Sequence, residues 1–221
     1  MPSYVCTFFL LAVYFEMMKK WKFPLLLLWL FFLISPVIFG YLKSNEELIY
    51  SGLIFNPIDG YSYYAKMYQG WSGSWSFILP FSSMANDEIY IFSMYLFLGN
   101  ISRILGLSIP FLYHFVRILF SICLFFALDK LIQKIFKVED FYSKSAFISL
   151  LFGGGLGWLY FLSGELPMDF WVAESYIFLS AYSNLHFVLT FLILIVMILF
   201  LMIKNTRFTT NLVLLFMSIV L

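Results

Sequence analysis

Residues 23–41 read FPLLLLWLFFLISPVIFGY, a run without a charge, and Lys19, Lys20 and Lys22 stand just before it. A helix needs about 20 predominantly apolar residues to cross the hydrocarbon of a bilayer, and this run reaches that length. Four more apolar runs follow, at 91–108, 109–128, 146–163 and 186–203. The chain has 221 residues, of which 63% are hydrophobic and only 11% charged. A water-soluble domain of that size cannot cover so much apolar surface. The pattern predicts an all-α, polytopic membrane protein. A net charge of +1 offers no basic surface for nucleic acid. Cys6 and Cys123 lie far apart in apolar runs and read as small packed hydrophobes, not as a disulfide or metal pair.

The charge distribution sets the orientation, because Lys and Arg of short loops favour the cytoplasmic side. The basic clusters are Lys19/Lys20/Lys22, Lys130/Lys134/Lys137/Lys144 and Lys204/Arg207. Between them lie acids: Glu46, Glu47, Asp59, Asp87 and Glu88, then Glu165, Asp169 and Glu174. If every run crossed, the lysine-rich loop at 129–145 would lie outside. If 91–108 does not cross, all three clusters fall inside and both acidic loops outside. Asn100 and Arg103 in the middle of 91–108 favour the second arrangement, since a central arginine is costly in hydrocarbon. The expected layout is a cytoplasmic segment 1–22 and a transmembrane domain 23–221 with outer loops 42–108 and 164–185. The membrane would be the cytoplasmic one, with the N-terminus inside.

Both ends raise questions. YVCTFFLLAVYF, residues 4–15, has no basic flank or small-residue cleavage site, so it does not read as a signal peptide. Translation from Met17 or Met18 would give a more ordinary start. The final run, NLVLLFMSIVL, is short of a span, and the chain reads as the N-terminal portion of a longer protein.

Chemistry concentrates in the outer loops. Asn56-Pro57-Ile58-Asp59-Gly60 is turn chemistry before a helical stretch, YSYYAKMYQGW. Asp59 is either the cap of that helix, the commoner use of such an aspartate, or a general base in apolar surroundings that raise its basicity. Glu174, Asn184 and His186 occupy the second loop and the start of the last run. Glu174 reads equally as a solvated acid. Arg117, three residues after His114, lies inside a span, where an ionisable group needs a partner. That partner is an anionic headgroup, an outer-loop acid, or water reached along its own stem. FGGGLG at 152–157 does not match a nucleotide-binding loop, and the Gly153/Gly157 spacing instead suits close helix packing. Two histidines and two distant cysteines make no zinc site, and a divalent cation held by acids has no motif.

The segment Asp59-Gly60-Tyr61-Ser62-Tyr63-Tyr64-Ala65-Lys66-Met67, then YLFLGNISRILGLS, then FLYHFVRILFSICLFFAL, resembles the GT-C superfamily of polytopic glycosyltransferases. The likeness is to protein O-mannosyltransferases and aminoarabinose transferases in particular, and covers roughly residues 23–203 by layout. It implies a GT-C-like helix bundle with interfacial helices in the first outer loop. It also implies sugar transfer from a polyprenyl-phosphate donor among the membrane lipids. In that resemblance Asp59 is the base, and Glu174 or Asp169 is a second acid. Arg117, with Lys66 or His186, holds the departing phosphate, while Tyr63, Tyr64, Trp71 and Trp75 pack on sugar or lipid. Gly60 departs from the family, which often has a second acid there, and the family's C-terminal half has no counterpart. Two other classes compete, a non-catalytic membrane subunit and a transporter. The latter would place polar groups near the midplane of repeated, broken helices, and no repeat is visible.

Overall fold

The computed structural model describes residues 20–80, 82, 88–161, 163, 164 and 167–202. Cys6, Lys19, Asp87, Glu165, Lys204, Arg207, most of the 1–22 segment and the final apolar run lie outside the described residues. Among those described, the secondary structure is helical apart from one isolated antiparallel bridge, Phe77 with Ile89.

Among the described residues two helices are long and apolar enough to cross a membrane: α1, Lys22–Lys43, and, further along, α4, Ile109–Ile135. They run antiparallel. The buried Lys22 Nζ donates to Asp129 Oδ1 at 2.5 Å, and Arg117 Nη2 donates to the Leu33 carbonyl at 3.0 Å. α1 buries Leu26, Trp29 and Leu33 against α4 but leaves Leu27, Phe31, Phe39 and Leu42 between 50% and 78% exposed. A face of that kind is suited to lipid rather than water.

Between these helices lie α2, Pro57–Trp71, and α3, Ser93–Leu105. At 13 residues α3 is about 20 Å long, well short of the roughly 30 Å of hydrocarbon. Its end is set by Gly106, whose φ of 65° suits glycine, with Leu107 N–H donating to the Ser102 carbonyl. Asn100 is buried and donates to the carbonyls of Ser74 and Leu96, which satisfies it without crossing a membrane. The run 91–108 is thus a short helix folded back on α2.

That pairing depends on two glycines. A Cβ on Gly99 would lie 2.0 Å from the Met67 carbonyl oxygen, and one on Gly70 would lie 2.1 Å from that of Leu96. Since the obstacles are backbone atoms, no rotamer change relieves them. Gly99→Ala is expected to force the helices apart at a cost of about 3 kcal/mol, the upper part of the range for overpacking. Hydrogen exchange across 57–71 and 93–105 checks it: protection equal to wild type would refute the close-packing argument.

The remaining elements correct two expectations. The run 146–163 is not one span: α5, Phe141–Phe152, begins at an Asp140/Ser143 capping box and stops at Gly153. Gly153, Gly154 and Gly155 then lie outside any helix, so the Gly153/Gly157 helix-packing expectation falls. Glycine's backbone freedom favours such a break. Nor is 164–185 an open loop. After α6, Trp158–Phe161, and two short 3₁₀ turns, Met168–Phe170 and Ala173–Ser175, the chain forms α7, Ile177–Ser183. Ser180 and Ala181 there are fully buried. α8, Leu185–Leu201, packs along α4, and its 17 mostly apolar residues fall slightly short of a full span.

Candidate functional site

The start of α8 meets the α2/α3 pair. Tyr95 of α3 and His186 of α8 share a hydrogen bond of 2.8 Å between the phenol oxygen and Nδ1. Tyr63 of α2 stacks on Tyr95, centroids 5.1 Å apart and rings within 8° of parallel, and lies 4.8 Å from the His186 ring. Lys66, one turn on from Tyr63, sets its ammonium 4.0 Å from the Phe92 ring, 4.8 Å from Tyr63 and 6.0 Å from Tyr95. Its Nζ also donates to Ser62 Oγ at 3.5 Å. Among the described residues no carboxylate comes within ion-pair distance of it.

Asp59 and Glu174 frame this cluster. Asp59 is exposed in the first turn of α2, where a carboxylate is favoured by the helix dipole. It does not cap the helix. No side chain caps α2, and the Asp59 carboxylate accepts from the Asn56 amide instead. Glu174 is exposed in the second 3₁₀ turn. Both carboxylates bear on Tyr63, whose phenol is pushed up first by burial, then by Asp59 and by Glu174. Both also contribute to the field at His186, together with Lys66. Burial pulls the Lys66 ammonium below its usual range, and Asp59 partly restores it. The structure therefore brings Asp59, Tyr63, Lys66, Glu174 and His186 to one locus at the Lys43 end of α1.

The other expected residues lie apart. Tyr64 is buried on the inner side of α2, edge-on to Tyr113 at 5.3 Å, so its ring faces protein. Trp71 is exposed but 12 residues beyond Asp59, about 18 Å along the helix. Asp169, the other candidate second acid, has both oxygens occupied: Gly157 N–H donates to Oδ2 at 2.5 Å and the Tyr176 hydroxyl to Oδ1 at 2.9 Å. Among the described acids of the second loop, Glu174 is therefore the free one.

Arg117 is 1% exposed and has none of the expected partners. Nη1 donates to the carbonyls of Ala181 and Tyr182 at 2.5 and 2.9 Å, and Nη2 to Leu33. The first two belong to the last turn of α7, where helix carbonyls lack intrahelical partners. The third lies in the turn disturbed by Pro36. Arg117 Nε donates to His114 Nδ1 at 3.3 Å, which leaves the His114 Nε2 proton for the Gly52 carbonyl at 2.6 Å. The guanidinium is thus an internal tie joining α1, α4 and α7, with its two Nη atoms donating to carbonyls and its Nε to His114.

Sequence reading missed Tyr95 and Phe92. Each is one aromatic among many, and nothing in their spacing links them to residues 66 or 186. Among the described residues no three His, Cys, Asp or Glu side chains gather as metal ligands. Compared with known proteins, the chain matches no family model, no curated protein and no solved structure.

Proposed function

We propose that the protein is a multi-pass membrane glycosyltransferase that moves a sugar from a polyprenyl-phosphate donor to a hydroxyl acceptor at the outer membrane face. The observation that supports this reading is the gathering of two exposed carboxylates, Asp59 and Glu174, near Lys66, a cation with no carboxylate partner among the described residues, beside stacked aromatic rings. Asp59 takes the proton of the acceptor hydroxyl as its oxygen attacks the anomeric carbon. The bond from that carbon to the phosphate oxygen breaks, and the electron pair leaves with the phosphate. Lys66 and His186 offset the charge that grows on the leaving group. Tyr63 offers a ring to the sugar, and Glu174 accepts hydrogen bonds from its hydroxyls.

Orientation follows from charge. Lys22 pairs with Asp129, Trp21 donates to Glu139, and Lys144 lies over the Trp21 ring, so the basic residues at 20–22 and 130–144 share one end of the bundle. Asp59 and Glu174 belong to the other end. Under the positive-inside rule the carboxylate end is outside and the N-terminus inside.

The test is direct. The full-length protein in vesicles, given polyprenyl-phosphate-linked sugars and a hydroxyl acceptor, should release polyprenyl phosphate in step with glycosylated product. Binding of the lipid phosphate without any turnover would favour a non-catalytic lipid-binding subunit.

A further inference from the structure

Phe92 is a phenylalanine where the backbone calls for something else. Its φ of 55° and ψ of 28° lie in the left-handed region, which is uncommon for residues other than glycine, asparagine or aspartate. Strain of this kind persists only where the surroundings over-determine it, and it gathers at functional sites. Here the surroundings are explicit. The Phe77–Ile89 bridge, with N–H···O distances of 2.8 and 3.1 Å, anchors the chain three residues before Phe92. The Phe92 carbonyl accepts from the N–H groups of Tyr95 and Leu96 and starts α3. The Phe77 ring meets the Phe92 ring edge-on at 5.1 Å. Held in this way, the ring lies 4.0 Å from Lys66 Nζ, the nearest of the three aromatic faces around that ammonium.

We propose that Phe92 is a positioning residue that covers the Lys66 ammonium, keeping it partly dry and away from carboxylates so that it can receive an anionic oxygen of a phosphate group. This rests on the phosphate-binding reading of the same site. An aromatic face attracts a cation without neutralising it, so the charge stays available to a ligand, which an aspartate in that place would prevent. The groups that face or bear on Lys66 are Asp59 and Tyr63 from α2, Tyr95 from α3 and His186 from α8, with Glu174 acting on the same cluster.

The experiment is competitive acylation of Lys66 in the full chain, followed by mass spectrometry across pH 7–11. Phe92→Leu keeps apolar bulk but removes the π face, so the charged form loses support. The midpoint should fall, and acylation at pH 8 should quicken a few-fold. Phe92→Gly relaxes the backbone and admits water, so the midpoint should rise and acylation should slow about tenfold, the change for one pKa unit. Phe92→Tyr should match wild type, and if the glycine variant fails to fold, the Leu–Tyr contrast decides. Both Leu and Gly variants unchanged, or both shifted in the same direction, overturns the proposal. A separate arm adds inorganic phosphate or a polyprenyl phosphate. Protection of Lys66 by either supports a phosphate ligand, and the effective one identifies free anion or lipid as its source. No protection, with the opposite midpoint shifts intact, rejects the phosphate reading while leaving the Phe92–Lys66 arrangement standing.

Discussion

Asp59→Asn is expected to lower sugar transfer at least about 100-fold, the lower end of what a general base contributes, while leaving the fold intact. The amide keeps the size of the carboxylate and can still accept from Asn56, so the first turn of α2 loses only the charge that favours its dipole. What it cannot do is take a proton. Acceptor and donor binding should therefore change little, and the loss should fall on turnover. Glu174→Gln supplies the contrast, because hydrogen bonding to a sugar survives in the amide and its effect should be smaller. Steady-state transfer in vesicles with a lipid-linked donor measures both. If Asp59→Asn transfers sugar as fast as wild type, Asp59 is not the base.

Arg117→Met is expected to cost about 3–5 kcal/mol of stability, the scale for removing one side of a buried, charge-bearing network. Methionine fills much of the volume but donates nothing. The Ala181, Tyr182 and Leu33 carbonyls would lose a charged donor inside the bundle, and His114 would lose the bond that orients its ring toward Gly52. Arg117→Lys should recover only part of this, since one ammonium cannot replace a fork aimed at two helices and a histidine. Unfolding in mixed micelles reads the difference. A loss below about 0.5 kcal/mol, an ordinary surface value, would show that the tie is not structural. Because α7 follows the Glu174 turn, the same variant should also loosen that turn, with faster hydrogen exchange at 173–183.

The all-helical character and the two described helices long and apolar enough to span were legible in the residues, because hydrocarbon demands long, uncharged, internally hydrogen-bonded helices. Lys22–Lys43 was readable within two positions, whereas α4 runs seven residues past the expected end at 128, through Lys130 and Lys134 of the expected lysine-rich loop. The helical stretch 61–71 was readable too, although the helix begins four residues earlier, at Pro57, and takes Asp59 into its first turn. The failure of 91–108 to make a spanning helix followed from Asn100 and Arg103. Less was visible where the determinant was contact. Run 146–163 has spanning composition, yet its helix ends at Gly153 and the rest of the run makes only the short α6. Asp169 and Glu174 are both acids of one loop; only the fold shows that Gly157 and Tyr176 occupy the first and leave the second open.

Composition and charge pattern by themselves determined a helical chain with membrane-grade segments, and set the basic clusters at 20–22 and 130–144 apart from Asp59 and Glu174. Those properties are set by how each stretch partitions between water and hydrocarbon, a local quantity summed along the chain. Tertiary structure alone decided that Arg117 serves carbonyls of α1 and α7, that Tyr95 reaches His186 across 91 positions, and that Phe92 covers Lys66. Each of these depends on which faces meet, as where Gly70 and Gly99 let α2 and α3 touch, and no spacing within a single segment carries that information.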